Sequence, residues 1–464
     1  MHLYFPSVRG ARLRASGVAL SLAVGLAATL VSAPISAANG LPPAPGTTAV
    51  PGATIIGEQW LTERTLELTV DSPSFTAPAK VEVMLPTGYA ADPTRSWPAT
   101  YFLNGTNGDS TKFRTLLDGE KLTDSYPSIV ISPSGNSGYW SDWYNNGAGG
   151  PPMYETFVTQ QLIPLIDTNF RTLKDRAHRA ILGESMGGYG TLMLAARHPD
   201  LFVAASSLSG AVDTNWVPGA AVATASPALD TAIPDSIYGP RATNEVNWRG
   251  HNPVDLAENL GSVDVQLYTG NGTLGTNEIS QPTAPAGCAV ESGIIQPETQ
   301  NLHNALVAQG IPHKYTTYNW GCHTPALFEQ EITESLPRFA EVFAKNAPAP
   351  VTFDYRSTAP AFTTFGWSVT ADPNRAAEFL DLHDVSSTGF TITGSGTTQV
   401  TTPPIFRGNK PLTVLINGTP TTLSPDSAGR ITVSVDLGQH DPAQQYTLGA
   451  TTNLRTSVIS FLSK

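Results

Sequence analysis

The sequence predicts an α/β fold: a parallel sheet covered by helices, followed by a small C-terminal β-sandwich domain. Apolar runs with strand character alternate with helical patterns over residues 55–346. The strand runs are continuously apolar rather than alternating, as expected of strands buried on both faces. After EVFAKNAPAPV the texture turns Thr-rich, with short alternating runs (TGFTITG, LTVLING, RITVSVDLG) separated by turn clusters such as SPDSAG.

At 464 residues the chain is longer than one ordinary domain. Arg9, Arg12 and Arg14 precede an apolar run from Val18 to Val31 and the small residues Ser36, Ala37 and Ala38, which predicts a secretory signal over residues 1–38. Residues 39–54, rich in Pro and Gly, are expected to be an extended, disordered leader. No later run approaches the ~20 apolar residues of a membrane span. The expected location is therefore secreted or associated with the cell envelope. The net charge of −12 argues against nucleic acid as a partner, because phosphate binding needs a basic surface.

Strand runs begin at Thr65, Lys80, Pro98, Ser128, Arg179, Val203, Val263 and Lys314. Between several of them lie the helical stretches YETFVTQQLIPLIDTNF, GGYGTLMLAARHP and PETQNLHNALVAQG, the last stopped by Gly310. Residues 55–346 are the expected catalytic domain, 347–350 a linker and 351–464 the sandwich, in which only NRAAEFLDL from Asn374 looks helical.

The stretch AILGESMGGYG, Ala180 to Gly190, carries the chemistry. Gly-x-Ser-x-Gly between a strand and a helix is the nucleophile elbow of α/β-hydrolases, and Gly183 and Gly187 leave room for a turn too tight for side chains. The bland reading is that Ser185 merely caps the helix. A serine hydroxyl needs a base, and on this fold the chain order is Ser, acid, His. His2 falls in the signal, and His383 and His440 fall in the sandwich. His178 and His198 flank the elbow, while His251, His303 and His313 precede or enter the last core strand. His323, in NWGCHTPALF, remains in the loop after that strand.

The strand VDVQLYTGNG ends in Asn271 rather than an aspartate, so Glu278, Glu291 and Glu298 compete for the acid. The two cysteines, Cys288 and Cys322, are expected to form a disulfide in an oxidising compartment, against the alternative of two buried thiols. Such a bridge would staple the segment of Glu291 to that of His323, which favours Glu291, with Glu298 as the alternative. Backbone N–H groups of Met186 and Thr106 are the expected oxyanion hole. Asn104, Trp140, Trp143 and Asn271 are the expected substrate-pocket residues, alongside Tyr139 and Tyr144; core packing is the competing reading for each aromatic. This chemistry calls for no metal and no cofactor.

GESMGGYGTLMLAARHPDLFVAASSLSG, SGYWSDWY, LYTGNGT and GCHTP resemble the esterase family of α/β-hydrolases that includes S-formylglutathione hydrolase-like esterases and secreted mycolyltransferases. The resemblance spans about residues 55–346, and ESGIIQPETQNL matches the stretch in which mycolyltransferases place their glutamate, putting Glu291 in the acid's position. The mycolyltransferase Asp-Gly-x-Arg loop is here Asn104-Gly105-Thr106-Asn107, without either charge, so the resemblance implies acyl-enzyme chemistry and leaves the acceptor open. The leading expectation is a secreted serine esterase acting on an ester or acyl donor, including a cell-envelope lipid or glycolipid. The alternatives are an acyltransferase moving a fatty acyl group to a sugar or polyol, and a non-catalytic wall- or carbohydrate-binding protein.

Overall fold

Nine strands form the central sheet: β1 (Thr54–Trp60), β2 (Thr65–Asp71), β3 (Ala79–Met84), β4 (Ala99–Leu103), β5 (Ile129–Pro133), β6 (Arg179–Glu184), β7 (Ala204–Leu208), β8 (Asp264–Thr269) and β9 (His313–Thr317). Their spatial order is β1-β2-β3-β5-β4-β6-β7-β8-β9. This computed structural model describes residues 45–462 apart from Arg407 and Asn409, so the expected signal segment lies outside the described residues.

The expectation of a parallel sheet holds from β5 to β9 and fails at the other end, where β1, β2 and β3 pair antiparallel with their neighbours. Only residues 61–64 join β1 to β2 and only residues 72–78 join β2 to β3, too few for the crossover that a parallel pair needs. The described part of the leader, residues 45–54, is better held than its composition predicts. Asn169 Oδ1 accepts from Thr48 N at 2.8 Å and Asn169 Nδ2 donates to Thr48 O at 2.9 Å.

The continuous apolar runs are explained by two cores, one on each face of the sheet. Tyr101, Leu103, Ile129, Ile131 and Ile181 point into one. Their neighbours Phe102, Val130, Ala180 and Leu182 point into the other, as the two-residue period of a strand requires. Five helices matter for the site: α1 (Met186–Arg197), α2 (Val217–Ala225), α3 (Ala284–Val290), α4 (Gln296–Ala308) and α5 (Pro325–Lys345). The α5 residues Phe328, Ile332, Leu336 and Phe339 close the second core, a stripe of three- and four-residue spacing.

From Thr352 to Leu462 a six-stranded and a four-stranded antiparallel sheet enclose a separate core that includes Trp367, Val400, Val433 and Ile459. The helix expected from Asn374 does not form. Leu380–Ser386 is a strand, and Glu378 is buried, accepting from Ser395 N and Ser395 Oγ, both at 2.8 Å. Tertiary hydrogen bonds here override a local propensity worth on the order of tenths of a kcal/mol per residue. Tyr355 from this region donates to Arg197 O at 2.7 Å, at the end of α1.

Candidate active site

Ser185 occupies the single residue between β6 and α1, with φ 58° and ψ −121°, a left-handed conformation that is costly for a residue with a Cβ. The turn is fixed from both sides: Ser185 N donates to Leu208 O at 3.0 Å, and Ser185 O accepts from Ala211 N at 3.1 Å. A Cβ on Gly187 would overlap Leu103 O, and one on Gly183 would approach Gly187 O at 2.5 Å. The glycines are therefore required by the close passage of β4 as well as by the tightness of the turn.

His323 follows Cys322, whose disulfide to Cys288 joins the His323 loop to α3. His323 Nδ1 donates to Glu291 Oε2 at 2.8 Å, and the ring packs edge-on against Phe328. Glu291 begins a π-turn, Glu291–Ile295, between α3 and α4, a wider turn often found at functional sites. Its side chain is fully buried, and Oε1 accepts from Thr269 Oγ1 at 2.7 Å, Gly270 N at 2.8 Å and Ser209 Oγ at 2.8 Å. Ser209 Oγ lies also 2.9 Å from Glu331 Oε1.

The other two candidate acids are elsewhere occupied. Glu278 brackets the histidine: Oε1 accepts from Cys322 N at 2.9 Å and from Thr324 Oγ1 at 2.6 Å. Its Oε2 accepts from Gly275 N at 2.7 Å. Glu298, the expected alternative, accepts from Asp213 N at 3.1 Å and has no hydrogen bond to His323. Burial pushes its carboxyl well above the usual range, the Asp213 charge adds to that, and the Asp213 N–H opposes it.

Ser185, Met186, Thr106 and His323 line one cavity of about 200 Å³. Its opposite wall is apolar, from Val222 on α2, Val290 at the end of α3, and Ile294 and Ile295 in the π-turn. Tyr139, Ala211, Thr214, Gly219 and Glu298 complete it. Glu184, immediately before Ser185, sets the loop that presents Thr106: its Oε1 accepts from Gly105 N at 2.7 Å and pairs with Lys112 at 3.3 Å.

The four expected pocket residues do not line this cavity. Asn104 and Trp140 are fully buried behind it, where Asn104 Oδ1 accepts from Gly135 N at 2.9 Å and Trp140 Nε1 donates to Asn104 O at 3.2 Å. They shape the Thr106 loop from inside. Trp143 donates to Gly138 O at 3.1 Å and lines a separate cavity with Phe75 and Tyr154. Asn271 closes its own turn, accepting from Thr273 N at 2.8 Å. In each case demand for backbone partners and burial of aromatic area outweighs exposure to a ligand.

Sequence reasoning missed Glu184, Thr269, Ser209, Glu331 and the apolar wall. Glu184 was open to discovery, because it is the variable residue inside Gly-x-Ser-x-Gly. The wall also left a signal: VPGAAVATA is nearly all apolar, yet Val217 is 70 % exposed and Val222 41 %, more apolar surface than a solvent-facing helix needs. Ser209 and Glu331 lie 122 residues apart and left none.

With this geometry in hand, comparison with known proteins decides the family. The esterase family model matches residues 72–339, more than half of the chain. The chain belongs to the esterase family. It is 33% identical over 199 residues to Esterase Rv1288 of Mycobacterium tuberculosis, a match covering 41% of this chain and 42% of that protein. The chain thus spans about two fifths of the length of that esterase. It is 29% identical over 231 residues to the diacylglycerol acyltransferase/mycolyltransferase Ag85B of Mycolicibacterium smegmatis, covering 48% of this chain and 69% of the relative. The crystal structure of MPT51 (FbpC1) of Mycobacterium tuberculosis superposes with a TM-score of 0.50 at 18% identity, covering 60% of this chain and 97% of that one. This last likeness is one of fold: the chain's central sheet and its helices form an α/β-hydrolase fold.

Proposed function

We propose that this member of the esterase family is a secreted serine hydrolase that cleaves a carboxylic ester through an acyl-enzyme intermediate. The observation that carries the reading is the His323 Nδ1–Glu291 Oε2 bond of 2.8 Å at a cavity shared with Ser185 on its strained turn. Ser185 Oγ attacks the ester carbonyl carbon while His323 Nε2 takes its proton. The carbonyl oxygen becomes negative between the N–H groups of Met186 and Thr106, and the positive end of α1 adds to the stabilisation. The C–O bond to the alcohol then breaks, and the alcohol leaves with the proton from His323. Water repeats the sequence on the acyl-enzyme, releasing the carboxylic acid and restoring Ser185. Glu291 holds the imidazole with Nδ1 protonated and stabilises its cation.

A cavity of about 200 Å³ holds on the order of seven water volumes, so the natural test substrates are short esters. The second reading is acyl transfer to a sugar or polyol, supported by the relatives named mycolyltransferase and by the apolar wall that ends at exposed Val222. Export is supported by the N-terminal pattern and by the disulfide, which suits an oxidising compartment.

A fluorophosphonate probe tests the chemistry: wild type is labelled and Ser185→Ala is not. Equal labelling of the two, or none of wild type, overturns the reading. Hydrolysis of p-nitrophenyl butyrate with and without glycerol then separates the two outcomes, since a transferase yields glyceryl butyrate in place of free butyrate.

A further inference from the structure

Behind the proposed acid lies a second buried glutamate for which the ester chemistry has no use. Glu331 on α5, Ser209 and Glu291 are all fully buried. Ser209 Oγ is 2.8 Å from Glu291 Oε1 and 2.9 Å from Glu331 Oε1. A hydroxyl has one proton to give, and an ionised carboxylate can only accept. With both carboxyls ionised, Ser209 would serve one of them and turn a lone pair toward the other. Two carboxylates in one dry site would also repel each other strongly.

The surroundings decide which carboxyl holds the proton. Glu291 is met by donors on both oxygens: Thr269 Oγ1 and Gly270 N at Oε1, and His323 Nδ1 at Oε2. Glu331 has no such company. Among the described residues its Oε2 has no hydrogen-bond partner, and its Oε1 meets Ser209 Oγ. A bare buried oxygen is tolerable as the carbonyl of a neutral acid and costly as half of a carboxylate.

We propose that Glu331 is a neutral carboxylic acid and a positioning residue, donating to Ser209, which donates to Glu291, so that Glu331, Ser209, Glu291 and His323 form one directed hydrogen-bond chain. The inference rests on the esterase reading for its purpose, though not for its geometry. Its effect is to occupy Glu291 Oε1 fully and leave Oε2 to His323, fixing the imidazole with Nε2 free of a proton on the side of Ser185. It also places one negative charge behind the histidine rather than two.

The groups around Glu331 agree. Burial pushes its carboxyl well above the usual range, and so do the negative charges of Glu291 on the π-turn, Glu334 on α5 and Glu184 on β6; the Ser209 hydroxyl opposes them. Tyr318, after β9, faces the same site. Lys112 and Lys314 are engaged by Glu184 at 3.3 Å and by Glu334 at 3.2 Å.

Infrared difference spectra of wild type against Glu331→Gln at pH 7 read the proton directly. A carboxylic-acid C=O band present in wild type and lost in the variant is expected; loss of carboxylate bands alone overturns the proposal. The dependence of kcat/KM on pH with p-nitrophenyl butyrate reads the consequence. Gln is neutral, has the same shape and donates through its amide, so Glu331→Gln keeps the acid limb in place. Glu331→Leu ends the chain and loses roughly tenfold. If Glu331 were ionised, its charge would raise the imidazolium pKa, and Glu331→Gln would move the acid limb down by about one pH unit. That shift, or a loss in Glu331→Gln equal to that in Glu331→Leu, overturns the proposal. Should Glu331→Leu fail to fold, the infrared band and the Gln profile decide without it. The band needs no turnover, so a protein that shows it and hydrolyses no ester rejects the esterase reading alone.

Discussion

Ser185 holds a left-handed conformation with its N–H bonded to Leu208 O and its carbonyl to Ala211 N, between two glycines crowded by backbone. Strain of this kind costs on the order of 1–3 kcal/mol and persists only where the surroundings over-determine it. The tightest of those surroundings is the passage of Leu103 O beside Gly187. Gly187→Ala is therefore expected to displace β4 from α1 and abolish fluorophosphonate labelling even where circular dichroism shows a folded chain. Labelling at the wild-type rate would show that the elbow has slack. Glu291→Gln is expected to lower kcat/KM roughly 10³–10⁴-fold, the scale of losing the carboxylate behind a catalytic histidine. Glu298→Gln, with no bond to His323, is expected to lose far less. The reverse ranking would reassign the acid.

At the scale of elements, the disulfide joins two segments 34 residues apart. Closing a loop of that length stabilises the fold by about 3–4 kcal/mol on the chain-entropy account. A Cys288→Ser, Cys322→Ser double variant is accordingly expected to show a lower urea midpoint and a somewhat steeper slope, because the unfolded chain without the cross-link exposes more surface; an unchanged midpoint would refute that account. The elements also show what the sequence could reveal. RAILGES and GGYGTLMLAARHP announced a strand and a helix on either side of Ser185, because a buried strand and a buried helix leave strong apolar runs. β2 and β3, TLELTVD and AKVEVM, interleave polar residues among the apolar ones, the pattern of antiparallel strands, and their short connections carry the same message about direction. Trp140 and Trp143 looked like pocket walls because an aromatic that supports a loop and one that meets a ligand are the same letter in a sequence.

Across the whole molecule, a charged cluster lies where the central sheet's helices meet the C-terminal sheets. Glu155 pairs with Arg197 and His198, each at 2.7 Å, and lies 3.8 Å from His251; Tyr355 bonds the end of α1 beside them. Burial, with the Arg197 charge adding to it, lowers His251 to about 4 against the opposing pull of Glu155. Its Nδ1–H donates to Asn247 O at 2.8 Å. Glu155 is held well below the usual carboxylate range, because Arg197 and the two histidines outweigh its burial. The unfolded chain therefore binds more protons than the native one below the ordinary histidine pKa of ~6.5, so stability falls as pH drops from there toward 4. The Glu155 contribution, present above the ordinary glutamate value, is lost as pH falls further. A urea midpoint that declines between pH 7 and 5 in wild type, and less in His251→Asn, is expected; equal slopes would remove His251 from the account. This cluster was invisible in the sequence, since its members come from residues 155, 197, 198 and 251.

The place of β9 at the open edge of the sheet, with His323 in the loop that follows, has a consequence for how the molecule comes apart. An edge strand is held by one neighbour, and its amides exchange with solvent through local openings that leave the rest intact. Ser185, by contrast, sits between β4, β6 and β7 at the sheet's centre. Fraying of the edge would therefore separate the proposed base, His323, from the proposed nucleophile, Ser185, while most of the protein stays native. The Cys288–Cys322 bond spans that weak seam. In reducing urea, turnover should vanish at a lower concentration than the far-ultraviolet signal, and in oxidising urea the two losses should coincide.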